Sequence, residues 1–251
     1  MISIKDLKFE NGPLGFYSKV PFQTGAVHVF YSKKISVEQF KQLPYFNKLK
    51  IKVLHQVHGD KIIKSEPSAE LNFKIDQLEV ADAHWTDSPN LALCIRTADC
   101  LPIMFWCPIT KRVAAIHSGW RGVALNLATK CLAQLIQSGS PVEQIACFIG
   151  PHIQLQSFEV SLDVRDELLK SLPNNKTCQD THQFYVNSKN AADKFFVDLN
   201  KIVRQQLKSH GLQEQNINSL DLDTFTHPEL DSYRRDKDKS GRMISFIALE
   251  L

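Results

Sequence analysis

The chain has 251 residues, 43% of them hydrophobic and 23% charged, with a net charge of +3. This usage is ordinary for a globular protein and excludes extended disorder, collagen-like repeats and a coiled coil. A charge this small makes no electrostatic case for a nucleic-acid partner.

In chain order, the first residues, MISIKDLKFENGPLGFYSKV, carry regularly spaced charges and no apolar core, so they do not read as a secretory signal. Ala26 to Tyr31 alternates as a strand does, and Ile51 to Val57 is a β-branched strand ending at the Gly59-Asp60 turn. Leu91 to Thr97, Ile103 to Trp106, Arg112 to His117, Ile145 to Ile149 and Met243 to Leu249 are further apolar strands. A helix is predicted over Val123 to Ser138, stopped by Gly139 and Pro141, with Val123, Leu127, Cys131 and Leu135 on one stripe. A weaker helix follows Ser161. Another covers Leu199 to His210, with Asp198 as N-cap and Gly211 as its stop. Ser171 to Gln179 reads as a surface loop. Many strands with few, irregularly spaced helices predict an α+β layered fold, and residues 1–251 read as a single domain. No apolar stretch approaches the ~20 residues that span a bilayer, so a cytoplasmic protein without membrane contact is expected.

Six cysteines form no CxxC pair. In a chain able to build its own core, Cys94, Cys107, Cys131, Cys147 and Cys178 read as small buried hydrophobes. Cys100 stands apart. It lies in TADCLP, one of three segments that end a strand at a Gly or Pro turn; the others are HQVHGD at His55 to Asp60 and HSGWRG at His117 to Gly122. Two imidazoles and a thiolate, His58, His117 and Cys100, are good zinc ligands, and three protein ligands leave a position open for chemistry. The competing reading is a core cysteine with two ordinary histidines. On a regular strand His55 and His58 face opposite ways, so His55 is assigned a structural role. Asp99 is a candidate to accept the second ring N–H of a ligating histidine, or simply to cap a turn. Arg121, between Gly119 and Gly122 and ahead of a helix, suits an anion or merely caps a loop. Ser232 to Arg242, SYRRDKDKSGR, is a solvated loop or a phosphate contact through Arg234 or Arg235. Phosphate-loop, dinucleotide-binding, HExxH, GxSxG and deaminase-type zinc motifs are all missing.

Taken in order, HQVHGD, ADAHWTD, TADCLPIMF, AAIHSGWRG, IGPHIQLQSFEV and SYRRDKDKSGRMISF resemble the family long labelled multicopper polyphenol oxidoreductase, or laccase-like, and now described as purine nucleoside phosphorylases with adenosine deaminase activity. The resemblance covers roughly Leu54 to Leu249. It implies a layered α/β/β/α sandwich with mixed sheets and a metal held by His58, Cys100 and His117. It also implies a purine nucleoside and phosphate as substrates. Arg121 and Asp99 are then catalytic candidates, and Lys19, Arg234 and Arg235 substrate-binding ones, with Asp82 and Glu159 as further candidates for moving a proton. Deamination would use water activated by the metal. The chain departs from the family pattern in Gly15 to Gly25: Lys19 replaces an arginine, and the paired glycines are absent. Asp223-Thr224 replaces a Cys-Thr pair, His152 stands where cysteines are usual, and Ser118 replaces an alanine.

Nine histidines and no His-x-His pair argue against a multicopper oxidase. Zinc is the expected ion, although copper binds such donors in vitro. Two rivals are carried forward. One is a cysteine hydrolase, such as an amidase acting on cell-wall precursors, with Cys100 as nucleophile, His117 as base and Asp99 as orienting group. The other is a metal-stabilised binding module without turnover.

Overall fold

A computed structural model describes residues 10–12, 15–22, 25–34, 39, 49–67, 77–174, 180–189 and 191–250, without the side chains of residues 17–22, 25–28 and 30. The Lys19 side chain, Cys178 and residues 175–179 of the expected surface loop therefore lie outside the described residues.

The strands run Glu10–Asn11 (β1), Gly15–Phe22 (β2), Gly25–Ser32 (β3), Lys50–Val53 (β4), Ile62–Lys64 (β5), Ala83–Thr86 (β6), Leu91–Thr97 (β7), Leu101–Cys107 (β8), Arg112–Ser118 (β9), Ala146–Ile149 (β10), Glu159–Ser161 (β11), Tyr185–Asn187 (β12), Lys194–Val197 (β13), Ile217–Ser219 (β14) and Met243–Glu250 (β15). The helices are Trp120–Ala124 (α1), Leu127–Gln137 (α2), Leu162–Lys170 (α3), Leu199–Ser209 (α4) and Tyr233–Asp236 (α5). One mixed six-stranded sheet has the order β1-β2-β3-β15-β7-β4 and a second β14-β10-β8-β9-β6-β5, with a small sheet β11-β13-β12 beside them.

Period-2 alternation sorts each apolar strand between two cores. From β8, Met104 and Trp106 join Leu91, Leu93 and Ile95 of β7 in the core between the two large sheets. Leu101, Ile103 and Phe105 face the other way, against Leu127, Leu132, Ile202 and Val203 of the helices. Ala92, Cys94 and Phe246 form a third cluster on the outer face of the first sheet. The layered, mixed-sheet fold is the expected one. Cys94, Cys107, Cys131 and Cys147 are buried in it, as their reading as small hydrophobes requires.

The predicted helix over Val123 to Ser138 is two helices. Asn126 sits at φ 57° and ψ 36°, a left-handed conformation that asparagine tolerates better than most residues, and the chain turns there. The apolar stripe survives the break: Val123, Leu127, Cys131 and Leu135 are all buried. The helix of residues 199–209 is as expected, with the Asp198 carboxylate accepting from the Lys201 N–H at 2.8 Å. The expected strand Ile51 to Val57 stops at Val53, because the later N–H groups bond elsewhere.

Candidate metal centre and active-site pocket

Two donors of the metal reading sit where the chain passes from the first large sheet to the second, and the third lies on a strand of the second. His58 lies in the crossing from β4 to β5, Cys100 in the turn from β7 to β8, and His117 near the end of β9. Their ligand atoms lie within 4.8 Å of one another. The Cys100 Sγ is 3.9 Å from His58 Nε2. The two imidazoles meet edge to face with centroids 4.8 Å apart.

Asp82 organises this cluster. Its carboxylate, wholly buried, accepts from His117 Nδ1 at 2.8 Å. It also accepts the backbone N–H groups of Val57, His58 and Gly59 at 3.1, 2.9 and 2.8 Å. These bonds pull residues 57–59 out of the sheet ladder and hold His58 at φ 60°. With Nδ1 engaged, His117 presents Nε2 to an ion, the usual carboxylate–histidine–metal relay. The orienting carboxylate is thus Asp82 and not Asp99. The segment ADAHWTD contained it, but sequence spacing does not say which carboxylate faces a given ring.

The electrostatics suit a cation. Burial works against the Cys100 thiolate, yet His117 and then His58 hold its pKa down to about 6. Burial also disfavours a charged His117, but Cys100 and Asp82 raise it to about 9. Burial alone would raise the Asp82 carboxyl; the hydrogen bonds from His117 and the backbone hold it below its ordinary value. Gly119 leaves the room: a Cβ there would lie 2.9 Å from Cys100 Sγ and 3.1 Å from His58 Cδ2. Soft sulfur, two ring nitrogens and this clearance fit a tetrahedral ion with bonds of about 2.0–2.3 Å. Among the described residues no other group of His, Cys, Asp or Glu could hold a metal in this way.

The cluster opens into a cavity of about 860 Å³. Arg96, Arg121, Arg234, Lys237 and Arg242 line it, against one carboxylate, Asp99. Asp99 adopts φ 85°. Its oxygens accept from the Thr224 hydroxyl at 2.7 Å and the Arg234 N–H at 2.6 Å, so it anchors the start of α5. The Arg234 guanidinium donates to the Glu159 carbonyl at 2.8 Å and lies over the Phe158 ring. Arg121 stacks on Trp120, 4.5 Å from the ring centroid. It lies inside the first turn of a five-residue helix, so the dipole expected from a long helix beyond it is small. Arg235, in α5, ties down the loop before it and does not line the cavity. Its guanidinium donates to the carbonyls of Thr224, Phe225, His227 and Leu230 and pairs with Asp236. Glu159 also faces away, accepting from Ser188 at 2.6 Å. His55 takes part through its backbone, bridging to Val80. Sequence reasoning missed Gln56 and Arg96 in this wall, and singled out Arg242 only as part of a basic stretch; the signal for Arg96 was a charge inside an otherwise apolar strand.

A family model described as multi-copper polyphenol oxidoreductase laccase matches residues 35–250. The chain belongs to this family. Among laccase-family relatives, one named a purine nucleoside phosphorylase of Pseudomonas aeruginosa is 32% identical over 198 residues, covering 78% of this chain and 73% of that one. The purine nucleoside phosphorylase YfiH of Escherichia coli K12 is likewise 32% identical over 199 residues, covering 78% and 72%. The crystal structure of the Bacillus licheniformis hypothetical protein YfiH superposes with a TM-score of 0.83 at 25% identity, covering 96% of this chain and 99% of that one. That of YlmD from Geobacillus stearothermophilus superposes with 0.82 at 22% identity over 97% and 99%, a likeness of fold. The naming of the relatives supports an enzyme. No helix among the described residues is long and apolar enough to cross a membrane.

Proposed function

We propose that the protein is a zinc-dependent purine nucleoside phosphorylase, taking adenosine, inosine or methylthioadenosine with phosphate, and that the same pocket deaminates adenosine. The observation that carries this reading is the meeting of the His58, Cys100 and His117 donors with an arginine-rich wall in one cavity. Names of relatives at about 30% identity support the substrate class.

In phosphorolysis a phosphate oxygen forms a bond to the anomeric carbon of the sugar while the bond to the purine nitrogen breaks. The electron pair leaves with the base, which then takes up a proton. The products are a free purine and a sugar 1-phosphate. Negative charge enters with phosphate and develops on the base, and the wall of Arg121 and Arg234 is placed to bind and orient it. Lys19 belongs to the same reading as a substrate contact. Asp99, the single carboxylate of the lining, is assigned the proton transfers of deamination as well as the anchoring of Arg234. His58, Cys100 and His117 would hold zinc, which when bound supplies Lewis acidity. Asp82 keeps His117 aimed, and Gly119 keeps the donors uncovered. The sequence lacks the paired histidines that several coppers would need.

The test is a product assay with each nucleoside, with and without phosphate, on protein of measured metal content and on His117→Ala. Phosphate-dependent release of purine, lost together with zinc in the variant, is expected. Full activity in a zinc-free variant overturns the metal role.

A second reading has a specific observation in its favour. Cys100, His117 and Asp82 line up as thiolate, imidazolium and carboxylate, the order of a cysteine hydrolase, with Asp82 in the place first given to Asp99. Alkylation separates the two. A thiolate holding an ion resists iodoacetamide until a chelator is added, whereas a free nucleophile reacts at once, as peptide mapping of Cys100 would show.

A further inference from the structure

Arg96 is the one charged residue of β7, whose other side chains are buried apolar groups, a cysteine and a threonine. Its Nε is buried and has no hydrogen-bond partner, and no carboxylate pairs with its guanidinium among the described residues. A planar five-donor fork left without an acceptor in a partly buried wall costs stability unless an anion joins it. The backbone beneath it is fixed. The Gln56 side chain donates to the Arg96 carbonyl at 2.7 Å and accepts its N–H at 2.8 Å, so one amide clamps both backbone groups. Gln56 lies two residues before His58, which ties this clamp to the metal-binding loop.

Arg242, at the end of the basic stretch, stands one residue before β15, whose Ile244 pairs with Arg96, so the two arginines are diagonal neighbours on one face of the sheet. Arg242 Nη1 donates to the carbonyls of Ser240 and Gly241 at 3.1 and 2.7 Å, and its guanidinium lies 5.8 Å from the Tyr233 ring centroid. Its Nε and Nη2 have no hydrogen-bond partner among the described residues. Burial first, and then the charge of Arg242, makes Arg96 hold its proton less tightly than usual, as expected of two like charges brought together without a counter-ion. Neither residue was assigned a role in the reading above, which placed phosphate on Arg121 and Arg234.

We propose that Arg96 and Arg242 form the seat of the reacting phosphate, with Gln56 as the residue that positions Arg96. This deepens the phosphorylase reading and rests on it. Two neighbouring guanidiniums that line the same cavity match the several acceptor oxygens of a phosphate better than one surface arginine stacked on a tryptophan. Because the Gln56 clamp joins the seat to the loop carrying His58, a bound phosphate is held in register with the metal cluster.

The test uses the full chain with its metal, comparing wild type with Arg96→Gln, Arg242→Gln and Gln56→Leu. Each arginine variant is expected to raise KM for phosphate roughly ten- to a hundredfold, with KM for the nucleoside within about twofold and metal content unchanged. Gln56→Leu should raise KM for phosphate and keep kcat, the mark of a positioning residue. Arg242 is exposed, so its variant folds even where Arg96→Gln does not. Unchanged phosphate KM in the arginine variants, or a rise confined to the nucleoside, overturns the seat. Calorimetry with inorganic phosphate alone separates this idea from the reaction. If the wild type performs no phosphorolysis yet binds phosphate, and Arg96→Gln does not, the seat stands and the phosphorylase reading falls. If the wild type binds no phosphate, the seat falls.

Discussion

Asp82 accepts the Nδ1–H of His117 at 2.8 Å while its carboxylate also gathers three successive N–H groups of the loop that carries His58. One buried carboxylate therefore sets both the ring of one donor and the backbone of another.

The first prediction follows from that arrangement. Asp82→Asn keeps the shape but weakens the hydrogen bonds that aim His117. Metal affinity should fall about 10–100-fold, as for other residues that orient a ligating histidine. A competition titration against a chromogenic chelator measures it, and equal affinity in the variant would show that Asp82 is only a loop anchor.

Gly119 carries the second. In Gly119→Ala the new methyl would sit 2.9 Å from Cys100 Sγ, tighter than real contacts allow. The backbone itself, at φ −71°, accepts alanine without strain. The cost is therefore one of overpacking, about 1–3 kcal/mol, and it falls on the donor cluster. Chemical denaturation and metal content should decline together. A variant with full metal occupancy and unchanged stability would contradict the crowding.

His84 gives a pH prediction. It is fully buried, with Ser65 Oγ 3.1 Å from Nδ1 and no hydrogen-bond partner for Nε2 among the described residues. Burial, then the charge of Lys52, lowers its pKa from 6.5 to about 3. A histidine held neutral in the fold binds a proton more readily once unfolded. Its stabilising contribution is complete above about pH 6.5 and is lost as the pH falls toward 3, on the order of one kcal/mol per pH unit. His84→Asn should flatten the acid side of a urea-midpoint profile across that window. An identical slope in the variant would assign acid sensitivity to other groups.

Asn126 gives a fourth. At φ 57° an alanine is strained where asparagine is tolerated. Asn126→Ala should lower stability by about 1–2 kcal/mol, and Asn126→Gly much less. Thermal melts of the pair distinguish this from loss of a side-chain contact, which would penalise both.

The sequence made the long elements and the donor set legible for a physical reason. Apolar strands such as residues 101–107 declare themselves by composition; Cys100 and His117 sit at the ends of such strands beside a Pro or Gly, and His58 lies beside Gly59 in the crossing beyond β4. Short strands such as residues 62–64 and 159–161 carry too few residues for a period to emerge. The break at Asn126 was hidden because the apolar stripe runs through it unchanged. Orienting and anchoring partners were the least legible. Asp82 and not Asp99 meets the ring of His117, while Asp99 anchors Thr224 and Arg234, since only folding decides which carboxylate meets which ring. Arg235 looked like a phosphate contact by charge, yet its donors are taken up by four carbonyls of the loop before α5 and by Asp236.

The donors come from both large sheets, His58 and Cys100 from crossings that leave the first and His117 from a strand of the second. An ion held there acts as a rivet through two stacked plates. Sliding one plate past the other by a single residue step, about 3.3 Å, would tear the rivet hole apart. Any drift in how the plates align is then felt first as a loss of metal.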